Sequence, residues 1–379
     1  QMHNEEKGWY GHIYVLWGHI MRQREHHVTP GLINAYSRLG LDSRAGSEFK
    51  PSADVKREIY PTESDYDEAV ELGITTLGLY PPGSSVAGQA LAIRPDMNTL
   101  DEMIQAEGCY LKIGLRANSS SKKALIKGFG KVSDYDKKNE KALAKWKKDQ
   151  EKKKKKSKSK SKKKAAEPPS AFMLADDDDD KKENDGYTAV IPDNDARPFL
   201  ELRAKELKAL ITISRAAGFK HFLDAKGEEE FEWAIRCPIT RELDLFYVKD
   251  EIGEMGVQVV FEPTISLHPG TMRQRNLPAE FAEAGARLVL IPRRDNIASY
   301  EGWRVDVGRL VSSGLDRETA LRAMTLEPAA LLGMEEEVGS LKAGKRADMV
   351  FYDGDPLEVG TKVEAVMIDG QFVFGGGEL

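Results

Sequence analysis

The stretch "DYDEAVELGITTLGLYPPG", residues 65–83, contains the unit on which the predicted fold depends. It predicts a helix from Asp65 to Leu72, a helix stop at Gly73 and a buried apolar strand from Ile74 to Leu79. A helix joined so closely to a buried strand is typical of a parallel sheet covered by helices. The fold class therefore depends on how often this unit recurs along the chain.

Strand-like apolar runs alternate with helical patterns through most of the sequence. The predicted strands are residues 91–96, 109–115, 197–204, 220–225, 257–263 and 287–295, and the predicted helices are residues 100–106, 205–219, 277–285, 300–314 and 316–333. In the last helix, Asp316 is a plausible N-cap and Gly333 a typical stop. Seven or eight strand–helix units favour a closed (β/α)8 barrel over an open doubly wound sheet. No G-x-G-x-x-G or Walker sequence opens a helix, which argues against a nucleotide-binding fold.

The two ends of the chain predict short strands instead of strand–helix units. Residues 11–21 form a strand-like run, and from Val338 onward short apolar runs alternate with turns. Asp369-Gly370 between two such runs is a strong hairpin signal. We therefore predict a small β-domain that both ends build beside the barrel. The predicted division is residues 1–33 for the first part of the β-domain, 34–132 and 191–334 for the two parts of the barrel, 133–190 for a charged insertion, and 335–379 for the rest of the β-domain.

The predicted insertion carries most of the positive charge. Residues 131–164 hold 17 lysines, five acidic residues and no arginine, which is +12 and leaves −18 for the rest of a chain of net charge −6. Because like charges repel and bury nothing, residues 133–190 are predicted to be disordered beyond a charged helix at 141–150. A nucleic-acid tether is the alternative, since lysines neutralise phosphate. The acidic remainder and the run Asp176–Asp180, which can neutralise the lysines in cis, favour a solvated linker.

Composition sets wider limits on the class of protein. Hydrophobic residues make up 40% of the chain and charged residues 31%, which indicates a soluble globular protein. No apolar stretch reaches the roughly 18 residues of a membrane-spanning helix, so no membrane partner is predicted. Localisation stays open. Two cysteines, Cys109 and Cys237, favour a reducing cytoplasmic compartment, whereas a start at Gln1 without methionine leaves export possible.

Two stretches resemble the metal-dependent amidohydrolase superfamily, in its imidazolonepropionase-like branch. The tail "ALRAMTLEPAALLGMEEEVGSLKAGKRADMVFYDGDPLE" (320–358) with "VMIDGQFVF" (366–374) is similar to the end of that family, and "HVTPGLINAYSRLG" (27–40) is similar to its first barrel strand. The resemblance is strong over about residues 27–41 and 308–374 and weak between them. It implies a distorted TIM barrel with a β-sandwich made from both termini. The family usually has more residues before this strand, which leaves open an abbreviated or incomplete small domain.

The family's first strand normally ends in a His-x-His pair that holds metal, and here those positions are Tyr36 and Arg38. Residues i and i+2 of a strand point to one face, so the geometry is kept while the ligands are lost. A tyrosine with a free pKa of about 10 is a poor ligand near neutral pH, and a guanidinium has no lone pair to donate. Within the predicted barrel the only histidines are His221 and His268, too few for the family's usual four. We predict that the metal pair is absent and that no cofactor is bound, with one weakly bound zinc as the alternative.

Asp295 ends the last predicted barrel strand, where the resemblance implies an aspartate that binds metal and takes a proton from the attacking water. The alternative is that Asp295 caps the following helix or pairs with Arg293, Arg294 or Arg304. If the metal is lost, a retained carboxylate needs another counter-charge. We therefore predict that Arg38 faces Asp295 across the barrel mouth, with Tyr36 close enough to form a hydrogen bond.

Five other residues are candidates for lining the same barrel mouth. They are Lys112, Glu201, Arg203, Glu262 and His268. The resemblance implies that Lys112 sits where some members use a carbamylated lysine as a bridging ligand, and that Glu201 and Arg203 lie near the position of a ligand histidine. Solvated or structural roles are the alternatives for each of them. His221 is predicted to start a strand, at the wrong end of the barrel for chemistry.

Three functions remain open from the sequence. The favoured hypothesis is a degenerate amidohydrolase with a scaffolding, assembly or binding role, as a homo-oligomer or together with an active paralogue. The second is a hydrolase of C–N or related bonds that uses Asp295 as base, with one zinc or none. The third is a binding module that holds an anionic small molecule on Arg38 and its neighbours.

Overall fold

The structure, a computed structural model, describes residues 27–41, 49–115, 119–164, 187–239 and 244–377. For residues 119–121, 154 and 156–164 it describes the backbone only. The predicted strand-like run at 11–21 and the aspartate run at 176–180 lie outside these ranges. Among the described helices, none combines the length and apolar composition that a bilayer crossing requires.

Helices and strands alternate through the described chain. The helices are α1 (Ser64–Glu71), α2 (Leu100–Met103), α3 (Ser119–Lys164), α4 (Arg197–Ala204), α5 (Ala216–Lys226), α6 (Lys249–Glu254), α7 (Leu277–Glu283), α8 (Ile297–Glu301), α9 (Trp303–Ser312), α10 (Arg317–Arg322) and α11 (Leu326–Leu332). The strands are β1 (His27–Pro30), β2 (Leu32–Ser37), β3 (Ile74–Leu79), β4 (Val86–Gln89), β5 (Leu91–Ile93), β6 (Ile104–Ala106), β7 (Tyr110–Gly114), β8 (Lys208–Thr212), β9 (Trp233–Arg236), β10 (Gln258–Phe261), β11 (Ser266–Leu267), β12 (Gln274–Arg275), β13 (Arg287–Leu290), β14 (Met349–Tyr352), β15 (Val363–Ile368) and β16 (Gln371–Gly375).

Two mixed sheets hold the strands of the predicted barrel. One has the order β13-β10-β9-β8-β7-β4, in which β7 to β13 run parallel and β4 is antiparallel. The other has the order β2-β3-β5-β6, with β2 and β3 parallel. Their strands are buried on both faces, as in β3, where all six residues are buried. Helices that alternate with buried, largely parallel strands confirm the predicted α/β class.

Hydrogen bonds connect the two sheets at two places. Residues 86–93 pass from one sheet to the other, because β4 pairs with β7 and β5 pairs with β3. On the other side, the Ile33 N–H donates to Met324 O at 2.9 Å, and the Leu290 N–H donates to Ala323 O at 2.8 Å. The adjacent residues 323 and 324 therefore bridge β2 and β13.

A separate four-stranded sheet joins the two ends of the described chain, in the order β1-β14-β15-β16. β1 pairs with β14 antiparallel, from His27 opposite Tyr352 to Pro30 opposite Met349. The predicted hairpin at Asp369-Gly370 is confirmed, since β15 pairs with β16 around these two residues. Both residues have positive φ, +52° and +78°, as a two-residue turn that matches the twist of the strands requires.

Several predicted elements between the insertion and strand β9 were wrong. Residues 197–204 form helix α4, residues 205–219 contain strand β8 before α5 begins, and residues 220–225 lie within α5. In α4 the buried side chains are Pro198, Phe199 and Leu202, a helical spacing that packs against α3. A short apolar run does not distinguish helix from strand, so neighbouring elements decided the outcome.

The predicted disorder of residues 133–190 is corrected for its first half, because α3 continues to Lys164. Leu125, Phe129 and Val132 are buried and fix the beginning of this helix to the body. Farther along, the Tyr187 hydroxyl donates to Asn139 Oδ1 at 2.6 Å and its ring lies 5.8 Å from that of Trp146. Lysine has a high helix propensity, and no proline interrupts the lysine run, so a helix anchored at one end can extend through it.

Limited digestion with trypsin is expected to cut first in the lysine-rich half of α3. The two fragments should stay associated, because β7 and β8 flank the cut and pair in parallel from Tyr110 opposite Lys208 to Gly114 opposite Thr212. Gel electrophoresis of the digest, followed by size-exclusion chromatography of the native mixture, measures both outcomes. A protected α3, or fragments that separate without denaturant, would contradict this expectation.

Candidate functional site

Charged and aromatic side chains meet where the parallel strands end. This group, here named the mouth cluster, consists of Tyr36, Arg38, Tyr80, Lys112, Arg236, Glu262 and Asp295. Its members come from or directly follow β2, β3, β7, β9 and β10, and Asp295 follows β13 by a short loop. In α/β barrels the carboxyl ends of the strands carry the functional site, so this is the candidate site.

Two tyrosines form the aromatic part of the mouth cluster. The rings of Tyr36 and Tyr80 stack with centroids 3.9 Å apart and an angle of 24°. The Arg236 guanidinium carbon lies 5.3 Å from the centre of the Tyr36 ring, and Lys112 Nζ lies 4.4 Å from that of Tyr80. Burial raises the pKa of Tyr36 although the charge of Arg236 acts in the opposite direction. Both tyrosines are therefore neutral near pH 7 and present their faces to cations.

Lys112 is buried in β7 with 7% of its surface exposed. Its Nζ donates to the carbonyls of Pro81 and Gly83, at 3.3 and 2.9 Å, and forms no ion pair with any described carboxylate. Burial and the nearby charge of Arg38 lower the pKa of Lys112 to about 8, against a smaller effect of Asp295. The ammonium is thus held by neutral groups in a place where its charge is unfavourable.

The pH dependence of stability should reveal this lysine. In the folded protein the pKa of Lys112 falls from 10.5 to about 8, so between these values the unfolded chain binds more protons. We expect the difference in free energy of unfolding, wild type minus Lys112→Met, to rise with pH across that window. Urea denaturation at several pH values measures it. Parallel curves for the two proteins would show that the pKa of Lys112 is unchanged by folding.

Arg236 and Glu262 form the buried ion pair of the mouth cluster. Arg236 is 6% exposed, its Nη2 donates to Glu262 Oε1 and its Nη1 donates to Val260 O at 3.5 Å. Glu262 Oε2 also accepts the Ile239 N–H at 3.3 Å. Desolvation lowers the pKa of Arg236, but the charge of Glu262 and the hydrogen bond to it act in the opposite direction, and the pKa is raised. The Arg236 Nε is buried without a hydrogen-bond partner among the described residues.

Asp295 is exposed as a whole residue, but protein atoms surround its carboxylate group. The resulting loss of hydration raises the pKa of the carboxylate. The Arg38 backbone N–H, the Ser37 hydroxyl and the charges of Arg38 and Arg236 act in the opposite direction without cancelling it. Arg38 also donates from Nη1 to Tyr80 O at 3.1 Å. Arg38 and Asp295 therefore act on each other electrostatically, while their facing each other across the mouth stays a prediction.

Another residue caps the helix that follows Asp295, and Arg293 and Arg304 have other partners. Asn296, not Asp295, caps α8, since its side chain accepts the Ser299 N–H at 2.9 Å. Arg293 pairs with Asp306 at 3.0 Å. Arg304 donates to the carbonyls of Pro356 and Thr361, at 2.8 and 3.0 Å.

A hydroxyl network supports β2 beneath the mouth cluster, and no sequence pattern pointed to its residues. The Tyr300 hydroxyl accepts from Asn34 Nδ2 at 2.9 Å and lies 2.7 Å from Ser37 Oγ. The Tyr110 hydroxyl donates to Ala35 O at 3.0 Å and so ties β7 to β2. Arg236 was missed as well, although a lone arginine at the end of the apolar run "WAIR" is a usable signal.

Two predicted mouth-lining residues lie elsewhere. Glu201 and Arg203 are on helix α4 instead of a barrel strand. The Glu201 carboxylate accepts from Gln89 Nε2 at 3.3 Å, and Arg203 pairs with Asp136 of α3 at 2.6 Å. Because residues 197–204 form a helix and not a barrel strand, both side chains lie in the outer layer and not in the barrel interior.

The two barrel histidines are also separate from the mouth cluster. His268 follows β11, with its Nδ1 3.3 Å from Arg275 Nη1 and its ring 5.6 Å from that of Phe246. His221 lies in the middle of helix α5 and does not start a strand. Neither ring is among the groups that act on Asp295.

The mouth cluster does not fit the metal pair that the family resemblance implies. Arg38 and Arg236 have no lone pair to donate, burial keeps the phenol of Tyr36 protonated, and Glu262 is engaged by Arg236. Within the described ranges, no group of three or more His, Cys, Asp or Glu side chains is arranged to hold a metal ion. Asp295 alone is left as an oxygen donor.

Comparison with known proteins identifies the C-terminal part of the chain. A model of the amidohydrolase family matches residues 276–374. The chain is 46% identical over 61 residues to amidohydrolase tasK from Hapsidospora irregularis, and 37% identical over 73 residues to an adenine deaminase from Clostridium botulinum. These segments are 16% and 19% of this chain and span 6% and 12% of the two relatives.

A solved structure extends the likeness to nearly the whole chain at the level of fold. The amidohydrolase from Thermotoga maritima MSB8 has a TM-score of 0.69 and 20% identity, and the alignment covers 92% of this chain and 88% of that one. The fold is therefore α/β and TIM-barrel-like. The family match is confined to the C-terminal part of the chain, and the likeness at 20% identity shows the fold.

Proposed function

We propose that this chain is an amidohydrolase-fold protein that has lost the standard metal site and binds a small molecule through an anionic group at the mouth cluster. The observation that carries the proposal is the convergence of Arg38, Lys112 and Arg236 at the strand ends. Arg236 has its partner in Glu262, whereas Lys112 donates to two neutral carbonyls and forms no ion pair with a described carboxylate. An anion would supply the missing negative charge, because a buried charge without a counter-charge is costly.

The proposal includes a closed barrel and a β-sandwich built from both chain ends. The hydrogen bonds at residues 86–93 and 323–324, which bridge the two large sheets, support closure. Pairing of β1 with β14 supports the two-ended domain. In a closed barrel the mouth cluster surrounds one opening, so a single ligand can contact all three cations.

Binding of simple anions tests the proposal. We expect calorimetric titration of the full chain to detect acetate or inorganic phosphate, and not glycerol. Lys112→Met should weaken binding by about tenfold or more, since a hydrogen bond to a charged group contributes roughly 1.5–3 kcal/mol. The control is Lys56→Met, which removes a lysine that pairs with Glu107 far from the strand ends. Absent binding, or equal weakening by both substitutions, would sink the proposal.

Elemental analysis of the purified chain is expected to find far less than the two zinc ions of a metal pair. The physical reason is the donor set, because Tyr36 and Arg38 stand at the two positions where the resemblance implies imidazoles. Added zinc should also leave the midpoint of thermal unfolding unchanged. Close to two equivalents of zinc per chain would refute the loss of the metal site.

We also propose that the chain, as a protein without the standard metal site, assembles with itself or with an active paralogue. Light scattering tests self-assembly, and co-purification tests assembly with a paralogue.

Hydrolysis of a C–N bond is the second candidate, favoured by one feature. Asp295 with a raised pKa lies near Lys112 with a lowered pKa, so a candidate base and a candidate acid share the mouth cluster. In this scheme Asp295 takes the proton of the attacking water. Turnover of amide or amino-heterocycle substrates that disappears in Asp295→Asn, with the fold intact, would establish hydrolysis and displace the binding-only proposal.

A further inference from the structure

A cavity of about 320 Å³ lies away from the mouth cluster. Its walls come from the loop at residues 52–56, the sheet crossing at 89–91, the turn at 107–108 and the segment 194–201 that begins α4. Gly108 precedes β7, so the cavity is at the amino end of that strand, whereas the mouth cluster lies at the carboxyl ends. Its volume is within the range of small-molecule sites, about 300–1,000 Å³.

Helix α4 contributes two opposite charges to this cavity. Arg197 and Glu201 are four residues apart, hence on one helix face, and both line the wall. Neither forms an ion pair with any residue that the structure describes. Arginine on the amino-terminal side is the weaker orientation for such a pair, which accords with their separation. The Glu201 carboxylate is half-buried and has only a neutral partner, Gln89 Nε2 at 3.3 Å.

The other charged groups on the wall are largely engaged. Lys56 Nζ and Glu107 Oε1 pair at 2.8 Å. Asp54, which is exposed, accepts the backbone N–H of Lys56 at 3.0 Å. The unmatched cation and the half-buried unmatched carboxylate are therefore Arg197 and Glu201. The same two residues also line an adjoining, more open cavity of about 360 Å³, so space for a larger ligand continues past α4.

We infer that this cavity binds a zwitterion of the α-amino-acid type, with the ligand carboxylate on Arg197 and the ligand ammonium on Glu201. A guanidinium suits a carboxylate because it donates two parallel hydrogen bonds. The Gln89 amide beside Glu201 offers a further polar contact. One helical turn, about 5.4 Å, separates the two charges along α4, a span that both flexible side chains can close around a small zwitterion. The inference is independent of the function proposed for the mouth cluster.

Titration of the full chain with L-alanine and L-glutamine tests this inference against single-charge analogues. Propionate carries only the carboxylate and ethylamine only the ammonium. We expect at least one amino acid to bind, and both analogues to bind about tenfold more weakly or worse, as the loss of one charged contact predicts. Arg197→Gln and Glu201→Gln should each weaken amino-acid binding by about tenfold, a change of about 1.4 kcal/mol.

Matched controls separate a local effect from a change in net charge. Arg273→Gln and Glu283→Gln make the same substitutions at exposed positions that do not line the cavity, and should leave amino-acid binding unchanged. Lys112→Met should also leave it unchanged, which separates this cavity from the mouth cluster. The inference fails if no amino acid binds, if propionate binds as well as L-alanine, or if Arg197→Gln and Glu201→Gln bind like wild type.

Discussion

Replacing Arg236 by methionine is expected to lower the free energy of unfolding by about 3–5 kcal/mol. Arg236 is buried, and its guanidinium supplies the counter-charge of Glu262 and faces the Tyr36 ring. Removing it leaves the Glu262 carboxylate in a desolvated place with one backbone N–H, that of Ile239, as its remaining donor. A lone buried charge costs more than no charge, so breaking one side should be worse than replacing both.

The double substitution Arg236→Met with Glu262→Leu is therefore expected to recover part of the loss. The matched control is Arg203→Met, which breaks an ion pair with Asp136 whose side chains are 39% and 41% exposed. An exposed pair contributes about 0–1 kcal/mol, so this change should be small. Urea denaturation of Arg236→Met, Glu262→Leu, the double variant and Arg203→Met measures the effects. Additive losses in the double variant, or equal losses for Arg236→Met and Arg203→Met, would contradict the argument.

The sequence assigned such a pair to Arg38 and Asp295 instead. Arg38 is half-buried and Asp295 retains solvent access, so water screens part of their interaction. We expect Arg38→Met to cost less than Arg236→Met for this reason. A larger loss for Arg38→Met would show that Arg38 provides the main counter-charge of the mouth cluster.

Replacing Glu327 by alanine is expected to lower the free energy of unfolding by about 2–4 kcal/mol. Glu327 is buried at the start of α11, where its Oε2 accepts from Arg287 Nη2 at 2.8 Å and from Gln258 Nε2 at 3.2 Å. Its Oε1 lies 3.3 Å from Arg322 Nη2. One carboxylate thus joins β10, β13, α10 and α11, and its removal leaves the buried amide of Gln258 with a single acceptor, Glu327 O.

Glu327→Gln should cost less than Glu327→Ala, because the amide oxygen still accepts one of these hydrogen bonds. The control is Glu283→Ala on the exposed face of α7, expected within about 0.5 kcal/mol of wild type. The midpoint of urea unfolding is the measurement for all three variants. If Glu327→Ala and Glu283→Ala unfold at the same midpoint, the buried carboxylate does not hold these elements together.

Sequence alone determined the elements whose signals are local. The strands at residues 74–79 and 287–290 are short, largely apolar runs, bounded by Gly73 before the first and by Pro292 after the second, and length with such flanking residues favours a strand. Asp316 caps α10 by accepting the Thr319 N–H, and Gly333 ends α11 at a φ of +74°, because these residue types satisfy a helix end by themselves. That Tyr36 and Arg38 stand where the family resemblance implies imidazoles stays a prediction.

Tertiary structure alone decided which charges meet. Residues 197–204 and 220–225 became helices because Phe199 and Phe222 pack into the core from helical positions, and this moved Glu201 and Arg203 out of the predicted mouth. Arg236 joined the candidate site because β9 lies between β8 and β10, so its end reaches Glu262 and Tyr36. The sequence fixes which residue types are present along each strand. Strand order, set by contacts between residues far apart in the chain, fixes which of them become neighbours and which pKa values change.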